Sequence, residues 1–297
     1  MATTSAATAQ HRFLANEGNR LCIFDKQGEL QWQMQIKQAP HDLHWLPSGN
    51  ILTHQGTQLI EIDVENKEIV WSFDARKLAK AKRVEVHSLQ PIDDDRLMVA
   101  VSGEGKIFEI DRQGKVHHTL ELIRDNPHPH RDTRLVRRLA NGNYLVAQEG
   151  DGAVREYQPD GTLIWEYRIP MFDKKPKGGH GPEAFGNAVF SAIRLSNGNT
   201  LIGTGNGHSI LEVTHDKEIV WQIHQNDLPG ITLAWVTTLE AHPNGHLIIG
   251  NCHAGPKQPQ LIEITKEKKV VWKFHDFKSL GNNVSNSVVL GVKDVIR

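Results

Sequence analysis

The sequence predicts an all-β protein, a six-bladed β-propeller with four-stranded blades. Three observations predict it: a turn motif that recurs at blade spacing, strands that follow one another with no helical stretch between them, and two chain ends that each hold part of one blade. The motif is Leu46-Pro-Ser-Gly-Asn50, Leu139-Ala-Asn-Gly-Asn143 and Leu195-Ser-Asn-Gly-Asn199, with Pro243-Asn-Gly-His246 a looser copy and Asp93-Asp-Asp-Arg96 a degenerate one. Asn-Gly and its relatives tolerate the positive φ that tight hairpin turns require. Self-similarity at a fixed period decides the architecture before any single element is read.

Taken in order, the elements fit that plan. His11-Arg-Phe-Leu14, Arg20-Leu-Cys-Ile-Phe24 and Leu30-Gln-Trp32 read as the second to fourth strands of a blade that lacks its first. After the first turn, Asn50-Ile-Leu-Thr-His54 and Leu59-Ile-Glu-Ile-Asp63 are runs of strand length rich in apolar and β-branched residues, and Ile69-Val-Trp71 closes the unit. Later units repeat the pattern with Ile107-Phe-Glu-Ile-Asp111, Ile164-Trp165, Asn199-Thr-Leu-Ile-Gly203, Ile219-Val-Trp221, Leu261-Ile-Glu-Ile-Thr265 and Val270-Val-Trp272; in the third unit His118 fills the Trp slot. From turn Gly to Trp the distances are 22, 23, 23 and 27 residues, the last absorbing Gly255-Pro-Lys-Gln-Pro259. The Trp residues read as packing between blades. Ser287-Val-Val-Leu290 repeats an opening strand and supplies the one the N-terminal blade lacks. Pairing the two ends closes the ring at six blades and protects short sheet edges. A seventh blade would have to hide near 170–186, but Met171 to Pro182 is rich in Gly, Pro and Lys and reads as a long loop. Residues 11–297 thus form one domain, with 1–10 a flexible tail.

Composition narrows the partners. Lys and Arg number 34 against 35 Asp and Glu, a formal charge of −1 with no basic run, which disfavours nucleic acid. No stretch reaches the roughly 18 to 20 consecutive apolar residues of a membrane-spanning helix. Met1 to Gln10 has small residues like those before a signal-peptidase cut but no apolar h-region. Cys22 and Cys252 form no CxxC and read as two buried thiols. A monomer is expected, and no cofactor is assigned.

The unit Glu61-Ile-Asp-Val-Glu-Asn-Lys-Glu-Ile-Val-Trp71 resembles the repeat of the quinoprotein-like propeller superfamily, and His41-Asp-Leu-His-Trp-Leu-Pro-Ser-Gly-Asn50 is similar to blade starts of arylsulfotransferase-type six-bladed propellers. The first resemblance covers nearly the whole chain and implies a periplasmic or secreted location. Quinoprotein dehydrogenases imply pyrroloquinoline quinone, calcium, usually eight blades and often adjacent cysteines; neither that blade number nor such cysteines appear here. Arylsulfotransferases imply a channel histidine that is sulfated, and no one position here maps onto it.

In a propeller the starts of the innermost strands crowd one mouth of the channel. The residue eight before each turn position gives His41, His87, Arg134, Phe190 and Thr237, spaced 46, 47, 56 and 47 apart, and Asn286 follows 49 later. Histidines, an arginine and an amide aimed at one axis suit a carboxylate, a sulfate or sugar hydroxyls, with Arg the strongest anion partner. Adjoining loops add His130, Arg131, His180, Asn187, Trp235 and Asn283, so the expected ligand-binding set is His41, His87, His130, Arg131, Arg134, His180, Asn187, Trp235, Asn283 and Asn286. Imidazole suits zinc, copper or iron, and His41, His87, His130 and His180 share this mouth. No pairing of histidines on a known element supports a metal except the His128-Pro-His130 run, so no metal ligands are assigned. Gly203-Thr-Gly-Asn-Gly-His208 joins two strands with no helix after it and reads as a hairpin, not a nucleotide loop. No catalytic residue is assigned. The expectation is a propeller that binds a small polar or anionic molecule or a saccharide; a transferase or lyase using a channel histidine and a protein-interaction scaffold are the alternatives.

Overall fold

The structure, a computed structural model, describes residues 10–297. Apart from Gln10, the expected tail at 1–10 lies outside the described residues. Among the described residues, twenty-four strands form six four-stranded antiparallel sheets, and two single helical turns, Ala75–Leu78 and Phe277–Leu280, accompany them. Blade one takes its innermost strand, Ser287–Leu290, from the end of the chain and continues outward through Arg12–Glu17, Arg20–Phe24 and Leu30–Gln35. Phe13 pairs with Val289 and Ala15 with Ser287, the closure expected from the two partial blades. The innermost strands of blades two to six are Leu43–Trp45, Glu85–Pro91, Val136–Arg138, Ser191–Arg194 and Trp235–Ala241. The stretch 170–186 is a loop, pinned by one isolated bridge between Lys177 and Phe185.

Alternate residues of a strand point to opposite faces, and here each face meets a neighbouring blade. Phe13, Cys22 and Phe24 of blade one therefore pack against Ile248, Leu261 and Phe274 of blade six. Leu14, Leu21 and Ile23 pack the other way, against Leu43, Ile51 and Ile60 of blade two. This two-sided burial explains why the inner strands read as continuous apolar runs. A seventh cluster, Leu135, Phe190, Trp235 and Cys252, lines the channel mouth instead of a blade interface.

A second repeat ties the blades together. In five blades a third-strand Glu stands opposite the Trp slot of the outer strand: Glu61 and Trp71, Glu109 and His118, Glu156 and Trp165, Glu212 and Trp221, Glu263 and Trp272. Blade one has Ile23 opposite Trp32. Each Glu pairs with a basic side chain of the next blade: Arg112 at 2.6 Å, Arg138 at 2.6 Å, Arg194 at 2.6 Å, Lys266, and His11 at 2.8 Å. Four of the indoles also donate N–H to a turn carbonyl of the next blade, Trp32 to Val64, Trp71 to Arg112, Trp165 to His215 and Trp221 to Lys266, at 2.7–2.9 Å. Where His118 replaces Trp, its ring stacks on Tyr144 of blade four, whose hydroxyl donates to Glu109 at 2.6 Å.

Candidate functional site

The repeat column converges at one mouth of the channel. The rings of His41 and His87 are 4.7 Å apart, His87 and His130 are 5.2 Å apart, and Phe190 lies 6.4 Å from His41 and 5.9 Å from the Arg134 guanidinium. Local backbone geometry explains the aim of these groups. His41 and Arg134 stand just before their inner strands. His87 is the extra residue of a β-bulge, since the pairing of its strand shifts between Val86 and Ser88, and a bulge re-aims the side chain it inserts.

Arg134 is buried, donates from Nε to Glu149 and donates from Nη2 to Nε2 of His130 at 3.0 Å. Its Nη1 has no hydrogen-bond partner among the described residues, and neither has Nδ1 of His41. His87 is 1% exposed, its Nδ1 faces the Thr133 carbonyl at 2.9 Å and its Nε2 faces Oε2 of Glu85 at 3.2 Å. Burial first, and then the positive charge of Arg134, push the His87 pKa down to about 3. His41 is held well below its ordinary value by burial and then by His87 and Arg134. Both rings are therefore neutral near pH 7. The His41 backbone N–H donates to Nε2 of His54 at 2.9 Å, which anchors the loop that carries it.

Beneath the cup the axis is filled by side chains. Asp42, fully buried, accepts from Arg137 Nη1 at 2.8 Å, Arg137 Nη2 at 3.1 Å and Ser88 Oγ at 2.8 Å. Burial opposes its ionisation, but Arg137 and then His44 outweigh that and hold the carboxyl far below the usual carboxylate range. Asn286 is part of this floor: it donates to the His41 carbonyl at 2.9 Å and accepts from Arg297 at 3.2 Å, so its amide supports the cup from below.

The remaining expected residues spread around the rim. His180 is exposed and tilts over Trp235 at 4.9 Å, with His253 at 5.1 Å from it, and so belongs to the blade-six side, apart from His41, His87 and His130. Asn187 is exposed and its amide closes over Gly152, whose positive φ and lack of a Cβ make room for it. Asn283 is exposed and engaged by Glu17. Arg131 is exposed and contributes its carbonyl to Gly150 N–H. Three further groups belong to this mouth that the column does not mark: Glu85, Glu149 and His253. Glu85 alone had a signal, because it stands two residues before His87 on one strand.

A cavity of about 580 Å³ opens beside His41, Glu85 and His87, with His54, Lys82 and Arg83 on its walls. The opposite mouth holds one of about 650 Å³ under Arg137, Arg138, Arg194 and Arg297. Those arginines face Asp42, Glu109, Glu156 and Glu240 respectively, so that end is charge-balanced by its own walls. The two cysteines are buried and unpaired, and burial raises the Cys22 thiol to about 11 and the Cys252 thiol beyond it.

Comparison with known proteins places this geometry. The chain matches the PQQ_2 family model, described as outer membrane protein assembly factor BamB, over residues 17–274. No curated protein matches it. Among solved structures, a protein of unknown function from Bacteroides caccae superposes with a TM-score of 0.77 at 24% identity, over 94% of this chain and 98% of that one. A streptogramin B lyase gives 0.58 at 10%, over 91% and 83%, and virginiamycin B lyase from Staphylococcus aureus gives 0.56 at 11%, over 93% and 87%. At these identities the likeness is one of fold. The quinone that the quinoprotein-like resemblance implies does not fit: the axis is filled by the Asp42, Arg137, Asn286 and Arg297 network, and Cys22 and Cys252 sit in blades one and six, not side by side.

Proposed function

The chain belongs to the PQQ_2 propeller family, and from that premise we propose that its cup at His41, His87, His130 and Arg134 binds a small oxygen-rich molecule of the saccharide or carboxylate class. One observation carries this reading: a buried guanidinium donor, Arg134 Nη1, and a ring nitrogen, His41 Nδ1, both lack partners at the same mouth. Buried polar atoms are almost always hydrogen-bonded, so an orphaned pair at one channel mouth is the mark of a site that a ligand completes. Arg134 Nη1 can only donate, while the neutral His41 ring can accept or donate. A hydroxyl satisfies both at once, and a carboxylate satisfies Arg134 while His41 donates. Phe190 and Trp235 offer an apolar wall to the carbon face of such a molecule.

The two alternative functions draw less support. The lyase activity named for two of the structural neighbours is not carried over, because 10–11% identity transfers a fold and not residues. A scaffold role, in keeping with the family's description, would use the apolar blade rims. Those side chains, Val70, Ile164 and Val220, are however the extra residues of outer-strand bulges, a feature that itself blunts sheet edges. The test is calorimetric titration of the purified chain with a panel of monosaccharides and small dicarboxylates. At least one should bind, and His41→Ala and Arg134→Lys should each weaken it by about tenfold, ~1.4 kcal/mol. Absence of binding across the panel, or affinity unchanged in both variants, would overturn the assignment.

A further inference from the structure

We propose that Glu85, His87 and His130 bind a divalent first-row transition-metal ion at this mouth, an inference that goes beyond the ligand reading and does not rest on it. One oxygen of Glu85 and one nitrogen of each histidine lie within 4.8 Å of one another. Two histidines and a carboxylate are a donor set suited to zinc, with bonds of about 2.0–2.2 Å and a fourth position left open. Ligand atoms of a tetrahedral ion bonded at those lengths stand roughly 3.3 Å apart, and His87 Nε2 is already 3.2 Å from Glu85 Oε2. His130 Nδ1, at 2.6 Å from the same oxygen, has to open slightly, and its side chain, 44% exposed on a loop, is free to do so.

The accounting of donors and acceptors carries the inference. The Thr133 carbonyl opposite His87 Nδ1 can only accept, so Nδ1 holds the ring proton. That leaves Nε2 as the ligand atom, directed at Oε2 of Glu85 from 3.2 Å. The contact lies at a residue that is 1% exposed, and a cation between nitrogen and oxygen takes a lone pair from each. The Thr133 carbonyl is also the kind of outer partner that fixes the tautomer and orientation of a metal-binding imidazole. Arg134 is offset by Glu149, and Glu85 takes the exposed Arg83 guanidinium on its other oxygen, Oε1, at 3.2 Å, which leaves Oε2 turned to the two histidines.

His130 sets the condition for loading. Arg134 Nη2 donates to its Nε2, so Nδ1 carries the proton and donates to Glu85. Coordination through Nδ1 moves that proton to Nε2, and the Arg134 contact is released into the cup.

The experiment loads the chain with zinc, removes excess by gel filtration and counts retained metal, then measures affinity by competition with a chelator and geometry by the visible absorption of the cobalt form. About one equivalent is expected, with a tetrahedral cobalt spectrum, and His130→Ala and Glu85→Gln should each weaken binding by about tenfold or more. His130 lies on the loop, so its variant keeps the test informative if changes at buried His87 impair folding. His275→Ala, an exposed histidine elsewhere, should leave affinity unchanged. Zinc retention no greater in the parent chain than in His130→Ala, or affinity insensitive to both substitutions, overturns the proposal. No sugar or acid is present in these measurements, so their failure leaves the ligand-binding assay to decide that reading separately.

Discussion

His54 shows how one proton can hold a loop. It is 1% exposed, its Nε2 accepts from the His41 backbone N–H and its Nδ1 donates to the Gly56 carbonyl at 3.2 Å. Burial brings its pKa down to about 4, against about 6.5 in an unfolded chain. Between those values the unfolded state binds more protons, so the contribution of His54 is complete above about pH 6.5 and is lost as pH falls through about 4. Protonating Nε2 would set two donors against each other and free the His41 loop. Urea unfolding at pH 7.5 and at 4.5 should therefore show a steeper loss of stability in the parent chain than in His54→Gln, whose amide can both accept from His41 and donate to Gly56. Equal losses would show that the ring proton has no such part.

At the scale of the element, what holds one blade to the next is a repeated pair of contacts, the third-strand Glu with a basic partner and the outer-strand indole with a turn carbonyl. Both face the following blade, so each blade is completed by its neighbour. Trp71 offers a clean measurement, because its ring also lies 4.7 Å under the Arg112 guanidinium. Replacing it by Phe keeps most of the apolar surface but removes the N–H donated to the Arg112 carbonyl, for an expected loss of about 1 kcal/mol. Replacing it by Ala leaves a cavity as well and should cost about 3–5 kcal/mol. Equilibrium denaturation separates the two, and equal losses would mean that the packing of the ring adds nothing beyond the hydrogen bond.

On the scale of the whole molecule, the ring closes where the chain ends meet, and no covalent link reinforces that seam. Phe13 is its centre: fully buried, 5.0 Å from Phe24 and 4.9 Å from Phe274 of the adjoining blade. Phe13→Ala should lower stability by about 3–5 kcal/mol in urea while keeping a single transition, since an opened ring exposes the flanks of two blades at once. A loss below about 1 kcal/mol, or a separate early transition, would show that the seam is not coupled to the rest of the ring.

The turn repeat and the complementary chain ends were enough to determine six blades, their order and the mouth at which His41, His87 and Arg134 meet, because blade period and strand alternation are local properties written along the chain. The tertiary structure alone decided which of the candidate groups join. It set Asn286 into the floor, placed His180 on the blade-six side, left Arg131 and Asn283 at the rim, and brought Glu85 and Glu149 against the histidines and the arginine. Those outcomes turn on a bulge at His87, on loop paths, and on which donor finds which acceptor across the axis. Apart from Glu85, which stands two residues before His87 on one strand, they are contacts between residues well separated in the sequence, and no pattern along a single strand encodes them.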